Sequence, residues 1–258
     1  MRPYTDLRMP DPLTMRQRFE RAREEGVPLV GGHRGNPAEL PENTLPAYES
    51  AVELGVDLIE CDVHLTADGE LIVIHDHTLN RTTDATGFVG QRTLAELRSL
   101  DAGDGARLPL LEEVCAVARD RVGLCVETKQ MPVPYPGLEE KLVAELRRLG
   151  MVAQTCVISF RHGSALCVKE LEPGLQVGVI TGARPVDPVQ VLTSARADIY
   201  APHWAAMDPD LVGVVHAAGG VVGCWTVDDE TSAAWCRACA PDSVFTNRPR
   251  EILPLLRG

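Results

Sequence analysis

Short runs of β-branched and aliphatic residues recur along this chain, separated by longer stretches in which apolar residues return every three or four positions. The runs lie at 28–33, 58–63, 122–128, 155–159, 176–180, 197–201, 221–226 and 243–246. Helical-period segments fall between them at 44–54, 111–119, 138–149, 163–171, 208–218 and 230–239. In the first of these, Leu45, Tyr48 and Val52 form one stripe and Gly55 offers a stop. Strands alternating with helices predict βα units around a parallel sheet. Eight such strands predict an α/β fold, a single (β/α)8 TIM barrel, which a chain of 258 residues permits.

Two stretches depart from the alternation. Residues 71–75 follow the second strand across Asp68-Gly69, a hairpin turn signal, and predict an extra antiparallel strand at the barrel rim. From about 77 to 107 the chain is rich in Thr, Gly and Asp with one short helix at 94–100, which predicts an insertion beside the site, too short to form a domain of its own. Residues 1–27 read as an arm and one helix at about 14–25, ahead of a barrel at 28–258.

Composition narrows the function. The 25 basic and 37 acidic residues give a net charge of −12, and no Lys/Arg run marks a groove for a polyanion, so nucleic acid is an unfavourable partner. No run of apolar residues is long enough to span a membrane, and the N-terminus lacks the apolar core of a signal peptide, so the expected compartment is the cytoplasm. Cys61, Cys125, Cys156 and Cys224 sit inside apolar runs, as small core residues do. Cys236 and Cys239 form a CxxC without a second pair and read as helix residues rather than a zinc site.

Barrel chemistry gathers at the C-terminal ends of the strands. There the first strand ends in His33 and Arg34, the second carries Glu60 and Asp62, and the third ends in Glu127-Thr128-Lys129. Glu60 and Asp62, two apart on a strand, share a face. Buried side by side they repel unless a cation neutralises them, and Glu127 makes a third hard oxygen donor, a set suited to one Mg²⁺ or Ca²⁺. The alternative is a structural network paired to Arg34 and Lys129. His33 and His75 end apolar strands; singly each could be a hydrogen-bonded core histidine, but as a pair they supply the proton acceptor and donor that diester cleavage needs. Arg34 and Lys129 can bind phosphate oxygens, and Trp225 and Phe160 can wall a substrate or simply pack the rim.

The string His33-Arg34-Gly35, Pro41-Glu42-Asn43-Thr44, Glu60-Cys61-Asp62-Val63 and Ile74-His75-Asp76 resembles the glycerophosphodiester phosphodiesterase family. The likeness continues through Leu79-Asn80-Arg81-Thr82-Thr83, Glu127-Thr128-Lys129, Trp225-Thr226-Val227 and Phe245-Thr246-Asn247-Arg248-Pro249. The resemblance implies hydrolysis of a small glycerophosphodiester to glycerol 3-phosphate and an alcohol, through attack by a glycerol hydroxyl and a cyclic phosphate. It implies a metal on Glu60, Asp62 and Glu127, acid and base at His33 and His75, and phosphate held by Arg34 and Lys129. The loop 36–40, His77 and Cys61 depart from the commoner pattern without touching an assigned residue. His64 reads as a hydrogen-bonded rim residue with a possible face to the site. Three rivals remain: a zinc hydrolase using His75 and His77, a non-catalytic headgroup binder, and the same chemistry on lysophospholipids.

Overall fold

The computed structural model describes residues 13–258. Residues 1–12 of the expected arm lie outside them. Strands β1 (Leu29–His33), β2 (Leu58–Leu65), β4 (Gly123–Thr128), β5 (Thr155–Ser159), β6 (Gln176–Thr181), β7 (Ile199–Pro202), β8 (Val221–Cys224) and β9 (Ser243–Thr246) are parallel neighbours, and pairing of β1 with β2 closes the barrel. β3 (Leu71–Val73) pairs antiparallel with β2 outside the ring, as the Asp68-Gly69 turn predicts.

The strands read as nearly continuous apolar runs because both faces are covered. Ile59, Cys61 and Val63 of β2 turn outward into the large core beneath the helices, while Leu58 turns to the barrel axis with Cys125, Cys156, Ile158 and Phe245. The outer ring is α2 (Leu45–Glu53), α4 (Leu111–Ala118), α5 (Leu138–Arg148), α6 (His162–Leu171), α7 (Pro188–Ser194), α8 (Pro209–Ala217), α9 (Glu230–Cys239) and α10 (Pro249–Arg257). α7 and α10 are the two outer helices not among the segments expected from sequence. α7 is seven residues long with one buried side chain, and α10 carries Pro254 in its interior, which reads as a break.

α1 (Met15–Glu25) begins with a Thr14/Gln17 capping box and ends at Gly26 in the left-handed region. It closes the N-terminal end of the barrel: Met15 and Phe19 join the axial cluster, and Arg23 donates to Asp242 and to the Gly220 carbonyl. Gly123 makes this possible, since a Cβ there would lie 2.5 Å from Leu58 and 2.9 Å from Met15. The 77–107 segment contains a single 3-10 turn and α3 (Leu94–Leu97), and it packs Leu79, Val89, Leu97 and Ala102 against Ile72 and Ile74. The segment therefore shares its small apolar cluster with the rim strand. All eight cysteines are unpaired, with Cys224 Sγ 3.4 Å from Cys236 Sγ.

Candidate active site

Register brings the carboxylates together. β2 and β4 align Asp62 with Glu127, and strand alternation turns Glu60, Asp62 and Glu127 to the axis at the C-terminal end. One oxygen from each lies within 4.8 Å of the others, and all three residues are buried. Two cations answer them. Lys129 Nζ donates to Glu127 Oε1 at 2.7 Å and lies 3.3 Å from Asp62 Oδ1. Arg34 holds its Nε 3.3 Å from Asp62 Oδ2, and its backbone N–H donates to Glu60 Oε2 at 3.0 Å. Arg34 makes that backbone bond at φ 57°, a left-handed conformation a non-glycine residue rarely adopts.

Protonation divides unevenly across the cluster. Burial, then Asp62 and Glu127, pushes Glu60 well above the usual carboxylate range. Burial pushes Glu127 up to about 7, tempered by Lys129. Burial would raise Asp62 as well, but Lys129, Arg34, His75 and the Asn43 amide outweigh it and hold this carboxylate far below its ordinary value. Glu60 Oε1 and Asp62 Oδ1 are buried without a hydrogen bond. Unsatisfied buried acceptors are costly, and three hard oxygen donors around them fit a divalent cation such as Mg²⁺ or Ca²⁺. Were a bound divalent ion to keep all three carboxylates ionised, three negative charges against Arg34 and Lys129 would leave one surplus negative, which the ion would turn to one positive and a phosphodiester monoanion would neutralise.

The two histidines stand on different supports. His33 Nδ1 is 2.8 Å from Asn247 Oδ1, while Asn247 gives its Nδ2 and backbone N–H to Asp228 at 2.6 and 2.7 Å. Because the amide oxygen can only accept, His33 carries its proton on Nδ1 and leaves Nε2 bare toward Glu60, 4.0 Å away. Burial, then Arg34, lowers His33 to about 4, so the ring is neutral. His75 Nδ1 instead faces Asp76 Oδ1 at 2.7 Å, and Arg81 clamps that carboxylate through both its oxygens. Burial lowers His75 too, but Asp62 and the Asp76 hydrogen bond pull it the other way. Arg81 also spans to Glu42 at 2.7 and 2.8 Å, and Glu42 accepts from Arg34 at 3.1 Å, tying the insertion to the phosphate end of the site.

Across the mouth Phe160 meets Trp225 edge-on at 5.4 Å, and Trp225 Nε1 donates to the Ala201 carbonyl at 3.0 Å. His33, Arg34, Glu60, His75, Glu127, Lys129, Phe160 and Trp225 line one cavity of about 380 Å³.

The sequence profile of the glycerophosphoryl diester phosphodiesterase family matches residues 33–251, nearly the whole barrel. The chain belongs to this family. A glycerophosphodiester phosphodiesterase of Caldanaerobacter subterraneus subsp. tengcongensis is 36% identical over 237 residues, 89% of this chain and 98% of the relative. One from Bacillus altitudinis is 35% identical over 231 residues, 85% of this chain and 94% of its own. Among solved structures, an Oleispira antarctica phosphodiesterase in complex with the product sn-glycerol-3-phosphate superposes with a TM-score of 0.81 at 30% identity, covering 92% of this chain and 99% of that one. A glycerophosphodiester phosphodiesterase from Agrobacterium tumefaciens gives 0.77 at 30% identity, covering 88% and 100%. The protein is thus a member of a family of phosphoric diester hydrolases built on a TIM barrel.

Set against this glycerophosphodiester phosphodiesterase fold, the residues expected from sequence converge, with Asp62 just behind the cavity wall in contact with both Arg34 and Lys129. His64 lies deeper than a rim position: it is fully buried, its Nε2 3.1 Å from the His75 carbonyl and its ring edge-on to Tyr135. His77 sits against Phe88 and is not among the clustered carboxylates, so the zinc pair His75/His77 finds no geometric support. Sequence reasoning assigned no supporting role to Asn43, Glu42, Arg81, Asp228 or Asn247, of which only Asn247 stands out as a polar residue at a strand end. Asn43 donates to Asp62 Oδ2 at 2.8 Å and accepts from Tyr48 at 2.6 Å. Glu42, Asn43, Arg81 and Asn247 stand inside the strings that carry the family resemblance, which was the available signal.

Proposed function

We propose that this protein hydrolyses a glycerophosphodiester to glycerol 3-phosphate and an alcohol, with one Mg²⁺ or Ca²⁺ held by Glu60, Asp62 and Glu127. The observation carrying this reading is the meeting of three buried carboxylates, two with unsatisfied oxygens, between two differently supported histidines. The likeness to a structure holding sn-glycerol-3-phosphate favours glycerol on one side of the diester. The bound ion would supply positive charge for the phosphoryl oxygens and the attacking hydroxyl.

The side chains divide the rest. Arg34 and Lys129 orient the phosphodiester through charge-assisted hydrogen bonds. His33, neutral and with Nε2 bare, takes the proton from the glycerol hydroxyl as that oxygen attacks phosphorus. His75 gives a proton from Nε2 to the departing alkoxide, because Asp76 opposite Nδ1 stabilises the imidazolium, which the neutral Asn247 amide behind His33 cannot do. Return of these protons accompanies opening of the cyclic phosphate by water. Phe160 and Trp225 form an apolar wall beside the bound diester.

The unpaired cysteines fit a reducing compartment, and we place the enzyme in the cytoplasm. Among the described residues no helix is long and apolar enough to cross a membrane. Turnover of glycerophosphocholine, abolished by EDTA and restored by Mg²⁺ or Ca²⁺, is the decisive measurement. Absence of turnover on every glycerophosphodiester would defeat the reading in favour of a headgroup binder, and full activity in EDTA would defeat the metal assignment.

A further inference from the structure

The interior of a (β/α)8 barrel is normally filled by layers of branched side chains. Here the axis is hollow on one side. At inward positions where such layers carry Val, Ile or Leu, this chain has Cys125, Cys156, Ala201, Gly223 and Ser243. The cavity that begins at Phe160 and Trp225 therefore continues past Ile180 and Ile199 to Phe19 of α1, which floors it. The whole space, mouth included, measures about 380 Å³. That is more than twice the ~150 Å³ that lets an engineered core cavity take up benzene.

The two ends of this space differ in chemistry. All its charged lining, from Arg34 to Lys129, is at the C-terminal mouth; one layer deeper the walls are hydrocarbon, thiols and the Ser243 hydroxyl. Water would find few partners there, and a charged or hydroxylated headgroup would lose its hydration without replacement. A hydrocarbon chain loses nothing by entering. A polar mouth that binds phosphate above an apolar shaft matches an amphiphile with one aliphatic chain.

We infer that the shaft along the barrel axis receives a single aliphatic chain carried by the leaving alcohol of the diester. This rests on the diesterase reading above and narrows its substrate class to lysophospholipid-like or alkyl glycerophosphodiesters. The test is kcat/KM for a series of sn-glycerol 3-phosphate n-alkyl diesters, from methyl to decyl, below their micelle concentrations and with Mg²⁺, beside glycerophosphocholine. The expected result is a rise of about fourfold per methylene while the chain descends the shaft, then a plateau where its tip meets Phe19. Phe19→Ala moves the plateau to longer chains, and Ala201→Leu moves it to shorter ones. Rates independent of chain length, or a plateau that neither variant moves, overturn the inference while leaving the diesterase reading standing. No turnover of any member, the choline diester included, sinks that reading and this one with it. If the variants fail to fold, the wild-type series decides alone, a flat series rejecting the inference.

Discussion

On the β1–β2–β4 side of the barrel the inward positions carry ionised and polar groups packed to contact: Glu60, Asp62, Glu127, Lys129 and Arg34 within hydrogen-bond or ion-pair distance of one another. On the β5–β9 side the inward positions carry small or apolar groups, which pack against one another around a cavity. The same backbone architecture serves both. What differs is which free energy each side leaves unsatisfied: the first lacks positive charge, the second lacks hydrocarbon. Each deficit identifies what a ligand must bring.

The largest effects should come from the charged side. Glu60→Gln and Asp62→Ala are expected to abolish metal binding in calorimetry and to lower kcat/KM by more than the ~10²-fold that losing an outer-sphere partner of a metal costs. Glu60→Gln should leave the melting temperature unchanged or raised, because it relieves repulsion among buried carboxylates. A cluster that was merely structural would respond with a lower melting temperature and intact metal-independent activity.

Next come the histidines. His33→Ala and His75→Ala should each cost at least about 10²-fold in kcat, the usual range for losing a general acid or base. Near-full rate in either variant removes that residue from the chemistry.

Protons and metal should compete on the same side. Since burial holds Glu127 up at about 7, lowering the pH through that value protonates an oxygen the ion needs. Apparent metal affinity should therefore fall with falling pH, by up to about tenfold per unit for each proton displaced. Calorimetry in buffers of different ionisation enthalpy should show proton release on binding; affinity that ignores pH across this window would disprove the coupling.

Asp76→Asn removes the carboxylate that favours protonated His75, so its pKa falls further and the alkaline limb of the rate profile should move to lower pH, with roughly tenfold loss at neutral pH. Asp228→Asn, which acts behind a neutral amide, should leave that limb in place. An equal shift in both variants would erase the distinction drawn between the two histidines.

The smallest effect belongs to the apolar side of the mouth. Phe160→Ala should raise KM for glycerophosphocholine a few-fold with kcat little changed, as loss of uniform binding does. A fall in kcat with KM unaltered would place Phe160 at the reacting centre instead.

Much of the fold was legible along the chain. Short continuous apolar runs and helical stripes mark all eight barrel strands and six of the outer helices, because those patterns record burial of each element on its own. α7 and α10 were not: α7 is short with one buried residue, and Pro254 inside α10 reads as a break although Pro249, Ile252, Leu253 and Leu256 recur at helical spacing. Within the site, alternation alone puts Glu60 and Asp62 on one face, and strand ends mark His33, His75 and Lys129.

Sequence by itself determined the strand order of the chemistry and the sign of its charges. Tertiary structure decided which support each histidine receives, Asn247 across 214 residues for one and neighbouring Asp76 for the other. It decided also that Arg34 turns its backbone to Glu60, and that the barrel axis stays open above Phe19. Periodicity is a property of neighbours in the chain. Hydrogen-bond pairing and unfilled volume depend on residues from many strands at once, so they exist only when the barrel has closed.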